Sequence, residues 1–130
     1  MELYRYLTRA EVLQIHDEMV RRYGGTLQIW DWAKLDSAIE APKAGFGGFR
    51  VHNTIEEIAA GYWFHISQNH PFESANKRTG TEASLVFLRL NGYRITCKHS
   101  ELKKKAIDVA SGKIKEADLA LWIKQNIERM

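Results

Sequence analysis

The stretch Asn69-His70-Pro71-Phe72-Glu73-Ser74-Ala75-Asn76-Lys77-Arg78-Thr79-Gly80 is a polar joint between the two most apolar helical runs of the chain. Upstream, the run from Ile55 to about Gln68 is apolar on most faces, which predicts a central buried helix. Downstream, Ala75 to Leu90 places Ala83, Val86, Phe87 and Leu90 on one face with Leu85 and Leu88 beside it, and Asn91-Gly92 is a stop signal. A polar loop joining two such helices lies over the middle of a helical core. Pro71 removes a backbone donor and biases His70 away from helical geometry, so the chain turns where a titratable side chain is presented. Phe72 is expected to plug the core and fix that turn.

Working outward, the periodicity stays helical. Thr8-Arg9-Ala10-Glu11 is a capping box, followed at helical spacing by Val12, Ile15, Met19 and Tyr23, and Gly24-Gly25 ends the segment. A second helix is predicted from Asp31, carrying Leu35, Ala38 and Ile39, with Pro42 as its stop. Residues 43–53 form a glycine-rich connection in which Gly45, Phe46, Gly47, Gly48 and Phe49 hold two exposed-looking phenylalanines. Thr54-Ile55-Glu56-Glu57 is a second capping box. A third match, Thr79-Gly80-Thr81-Glu82, falls inside a longer helical run and is read as false. Tyr93 to Cys97 reads as extended, Ser100 as the cap of a helix reaching Ser111-Gly112, and a last helix as carrying Leu119, Trp122, Ile123 and Ile127. Six helices with short connections predict an all-α bundle, a single domain over residues 1–130.

Composition narrows the class. With 130 residues, 45% hydrophobic and 27% charged, the chain can bury a sizeable core and is not of the disordered type. A lone Cys97 excludes a disulfide framework and a cysteine-built zinc site. Met1 to Arg9 carries charge where a secretory leader would be apolar, and the run from Ile58 to Phe72 is too short to span a bilayer. A soluble, cytoplasmic protein with no membrane contact is expected. From Lys77 to Lys105 there are eight basic residues against Glu82 and Glu101, so this segment carries +6 of the net +3 and the remainder carries −3. Lys103 to Lys105 read as a solvated helix face. A general nucleic-acid binder would be more basic and would interleave aromatics with the charges.

The joint itself carries the chemistry. A helix starting near Ala75 offers free first-turn amides to an anion, and small Ala75 lets a ligand approach the backbone. Lys77 and Arg78 stand where the helix dipole disfavours cations, which argues for an external anion, with Arg78 suited to bidentate phosphate contact. His70 is then a candidate base facing a phosphate cradle, the minimum equipment for moving a phosphate-containing group onto a hydroxyl. Asn76 reads either as part of that cradle or as the cap of the helix. His16, His52, His65 and His99 are read as structural or exposed, and His65 and His70 lack metal-ligand spacing.

The segment His70-Pro-Phe-Glu-Ser-Ala-Asn-Lys-Arg78 resembles the active-loop motif of the Fic/Doc family, and its Ala-Asn-Lys-Arg ending resembles the Doc, or death-on-curing toxin, branch. The flanks Leu7-Thr8, Val12 to Asp17, Gly24-Gly25, Leu35 to Pro42 and Phe87 to Tyr93 extend the resemblance over nearly the whole chain. It implies a Fic fold and an ATP-using transferase acting on a protein hydroxyl. On that basis His70 falls on the catalytic base, and Asn76, Arg78 and the amides from Ala75 to Arg78 on the phosphate site. Lys77 replaces the glycine of AMP-transferring members, which implies γ-phosphate transfer in its place. The resemblance further implies a small Phd-like antitoxin as partner, through which any nucleic-acid contact would run, and elongation factor Tu as the target type. The connection Gly45 to Phe49 is the expected flap that aligns a target segment. The family places Asp or Glu at the position of Ser74 to hold Mg²⁺; serine is a weak ligand for that cation. A second arginine is also missing after Arg78. AMP transfer, and a silent module that binds nucleotide or antitoxin, are the competing readings.

Overall fold

A computed structural model describes residues 4–44 and 54–130. The flap expected at Gly45 to Phe49, and His52, lie outside the described residues. In chain order the elements are α1 (Arg9–Tyr23), α2 (Trp32–Ala44), α3 (Ile55–Asn69), α4 (Asn76–Leu90), β1 (Tyr93–Ile95), α5 (His99–Ala110), α6 (Glu116–Gln125) and β2 (Ile127–Arg129). The fold is all-α in class, with one antiparallel strand pair in which Arg94 faces Glu128 and Ile95 faces Ile127.

Helix α3 is the hub. Tyr62, Trp63 and Ile66 on it are fully buried, and it packs against α2, α4, α5 and α6. Its approach to α4 is close because residue 80 is glycine: a Cβ there would lie 2.5 Å from Ser67 Oγ and 2.8 Å from the Trp63 carbonyl. The Tyr62 hydroxyl accepts a hydrogen bond from the Leu7 amide at 2.9 Å, and burial pushes its pKa up. Asn91 ties the N-terminal segment down further, accepting from Arg5 N and donating to Arg5 O.

Both predicted capping boxes form, with Thr8 and Glu11 reciprocally bonded at the start of α1 and Thr54 and Glu57 at the start of α3. The third match lies inside α4. Asp31 caps α2, its carboxylate accepting from Lys34 N at 3.1 Å.

Four local details depart from the sequence pattern. Pro42 does not stop α2, which runs on to Ala44; the proline packs closely on Gly61 of α3, where an added Cβ would lie 3.1 Å from it. Ser100 is not a cap: α5 begins one residue earlier, with Glu101 N and Leu102 N both bonded to the Lys98 carbonyl. Leu90 is 44% exposed and lines, with Ile15, Met19 and Val86, a groove of about 570 Å³ between α1 and α4. Ile127 is in β2, because α6 ends at Gln125: Asn126 donates its side-chain amide to the Trp122 carbonyl and turns the chain toward Thr96. No helix among the described residues is long and apolar enough to cross a membrane.

Candidate active site

The joint between α3 and α4 is bracketed by backbone in an uncommon conformation. His70, at φ 50° and ψ 56°, ends α3, and Ala75, at φ 65° and ψ 22°, begins α4. They are the two non-glycine residues with positive φ among the described residues. Each such residue costs about 1–3 kcal/mol unless its surroundings hold it.

Three sets of contacts do so. The segment between α1 and α2 runs antiparallel to the loop: Trp30 N and Asp31 N donate to the Pro71 carbonyl at 2.9 and 3.2 Å, and Glu73 N donates to the Gln28 carbonyl at 3.1 Å. Ile29 lies opposite Phe72 in this pairing. Asn76 forms the second set, its Oδ1 accepting from Phe72 N at 3.1 Å and its Nδ2 donating to Phe72 O at 2.9 Å. The loop therefore closes on itself through a buried carboxamide, which serves as a staple rather than as a side-chain cap of α4.

The third set comes from α1. Phe72 is fully buried, as expected, and the imidazole of His16 stacks on it with ring centres 3.7 Å apart and planes 8° from parallel. His16 Nε2 lies 3.0 Å from the Ser74 carbonyl. A carbonyl only accepts, so Nε2 carries the proton. Burial lowers the pKa of this histidine, with the Ser74 carbonyl and Asp17 pulling the other way. In sequence His16 reads as structural or exposed, although its position, four residues after Val12 and three before Met19 on the same apolar stripe, is a signal of burial. That it holds the loop was not legible there.

On the solvent side, α4 opens with no side-chain cap and no acidic residue in its first turn. Left-handed Ala75 followed by helical residues makes a concavity of backbone N–H groups, the kind of nest that accepts anions. Lys77 and Arg78 are exposed at its edge, and the Arg78 guanidinium lies 4.6 Å from the centre of the Tyr23 ring. His70 is exposed at the other end of the loop, and Pro71 is buried. The structure thus brings His70, Ala75, Asn76, Lys77 and Arg78 to one joint.

Ser74 is turned away from this concavity. Its hydroxyl accepts from Thr26 N at 2.9 Å and packs on Gly25, where a Cβ would lie 2.4 Å from Ser74 Oγ. Glu73, the adjacent carboxylate, accepts from the Thr26 hydroxyl at 3.0 Å. No group of three His, Cys, Asp or Glu side chains among the described residues is placed to hold a metal ion. The donor set at Ser74, one engaged hydroxyl, does not fit Mg²⁺.

A helical bundle whose central joint presents a histidine and an uncapped, basic helix start has known counterparts. Residues 6–88 match the model of the Fic/DOC family, and the chain belongs to that family. Its relatives place it on the Doc branch. It is 28% identical over 116 residues to "Protein kinase doc" of Escherichia phage P1, covering 89% of this chain and 90% of that protein. It is also 31% identical over 90 residues to "Toxin Doc" of Mycolicibacterium smegmatis, covering 69% and 67% respectively.

Proposed function

We propose that this protein is a Doc-type toxin that transfers the γ-phosphate of ATP to a Thr or Ser hydroxyl of a translation factor of the elongation factor Tu type. The observation that carries this reading is the uncapped start of α4, opened by left-handed Ala75 and edged by Lys77 and Arg78, with exposed His70 at the far end of the same loop. His70 takes the proton of the target hydroxyl as its oxygen bonds to the γ-phosphorus and the bond to the ADP oxygen breaks. Amides from Ala75 to Arg78, with the Lys77 and Arg78 cations, take up the charge on the phosphate oxygens. Asn76 keeps the loop closed beneath them and has a second Nδ2 hydrogen for a phosphate oxygen. The names of the two relatives support the toxin and kinase parts of the reading. A Phd-like antitoxin as partner and a cytoplasmic setting follow from the same reading.

The test is incubation with ATP labelled on the γ-phosphate and purified elongation factor Tu, for this chain and for Ser74→Asp. Label on the factor is expected, with the acidic variant faster. Absence of transfer by both sinks the kinase reading.

One observation favours a second reading, a silent module that binds nucleotide or antitoxin. Residue 74 is a serine whose hydroxyl is engaged by Thr26 N, so the loop lacks the carboxylate that the family resemblance implies for Mg²⁺. Calorimetry separates the two readings: this one requires ATP binding without turnover in both proteins.

A further inference from the structure

We propose that His16 is a positioning residue of the phosphate cradle: its Nε2–H holds the Ser74 carbonyl inward, so that the Ala75 N–H of the same peptide points outward to the anion. The proposal rests on the reading of the α4 start as a phosphate site.

In a trans peptide the C=O and N–H point in opposite directions, so fixing one fixes the other. The Ser74 carbonyl accepts from His16 Nε2 at 3.0 Å, on the α1 side of the loop. The Ala75 N–H is thereby directed away from α1. Half a turn of this one peptide would replace a donor with a carbonyl oxygen, and a phosphate would meet repulsion where it now meets a hydrogen bond.

Ala75 shows that the plane is held rather than relaxed. An L-residue at φ 65° stands above its right-handed form in energy, and alanine has no polar side chain to offset this. His16 can supply the restraint because it cannot swing away. It is 2% exposed and is clamped face to face on Phe72, itself fully buried. Ser74 is gripped from its other side by Thr26 N, at 2.9 Å from its hydroxyl. The residue is thus anchored through its main-chain oxygen and its side-chain oxygen at once. Burial keeps His16 in its neutral, single-donor form at neutral pH.

The test compares the full chain with His16→Leu, which keeps bulk without a donor, and His16→Gln, which keeps an N–H at the reach of Nε2. Affinity for ATP and for inorganic triphosphate is measured by calorimetry at a temperature where circular dichroism shows all three folded. His16→Leu is expected to bind both ligands about tenfold more weakly, the loss of one hydrogen bond to a charged group, and His16→Gln to stay within about threefold of the parent. In parallel, ¹⁵N spectra of the ring are expected to show protonated Nε2. A purely structural role would lower the melting temperature of both variants and leave their affinities equal to the parent's. That result, or a ring protonated on Nδ1 alone, overturns the proposal. A parent that binds neither ligand overturns the phosphate reading of the site itself, which distinguishes the two failures.

Discussion

The guanidinium of Arg78 lies 4.6 Å from the centre of the Tyr23 ring, joining the first turn of α4 to the last residue of α1. A cation in the first turn of a helix is repelled by the partial positive charge there. The electron-rich face of Tyr23 offsets part of that repulsion and keeps the guanidinium beside the concavity. Removing the ring in Tyr23→Ala is expected to weaken ATP binding about two- to fivefold, the value of an exposed cation–π contact. Tyr23→Phe keeps the ring face and is expected to bind like the parent; a titration in which both variants weaken equally would place the effect on the hydroxyl instead.

The two hydrogen bonds between Asn76 and Phe72 are buried and bind the loop to itself. Asn76→Ala leaves the Phe72 N–H and C=O without them and is expected to cost about 2 kcal/mol of stability. Urea midpoints measure this directly. Asn76→Asp keeps the acceptor for Phe72 N but sets a carboxylate against Phe72 O, so it is expected to be no better than alanine.

Gly25 adopts φ +118°, and a Cβ on it would lie 2.4 Å from Ser74 Oγ. Gly25→Ala is therefore expected to cost about 2 kcal/mol or more, through backbone strain together with the clash. Ser74→Gly in the same chain removes the clash and leaves the strain. The double variant should be more stable than the sum of the single changes predicts, and strict additivity of unfolding free energies would show that the contact is not stressed.

The folded pKa of His16 lies below its ordinary value of 6.5 because of burial. Below that pH the unfolded chain takes up a proton that the folded chain refuses, so the unfolded state binds more protons. Stability from this residue is complete above 6.5 and declines as pH falls from there toward the folded pKa. Melting temperatures of the parent and His16→Gln, compared from pH 7.5 down to 5, should respond unequally to acidification, with the parent's falling by more.

What the sequence disclosed was mostly local. Thr8 with Glu11 and Thr54 with Glu57 declare their helix starts within four residues, and both starts form. The loop was legible because Pro71, Lys77 and Arg78 violate helical rules close to one another. What stayed hidden depends on distant partners. Pro42 lies inside a helix that packs it closely on Gly61, and Ile127 becomes a strand because Tyr93 to Ile95 offer an edge. Likewise Ser74 reads as an absent ligand until Thr26 and Gly25 are seen to occupy its side chain.

The contacts that shape the loop span separations of 48 residues from Thr26 and 58 from His16. A hairpin of α3 and α4 alone would contain every residue of the motif and none of these supports. The site is thus a product of docking, and local detachment of α1 with the segment after it would erase the concavity while much of the core stayed intact. Native-state hydrogen exchange of α1 and loss of phosphate binding should then report a single opening event, with one free energy for both.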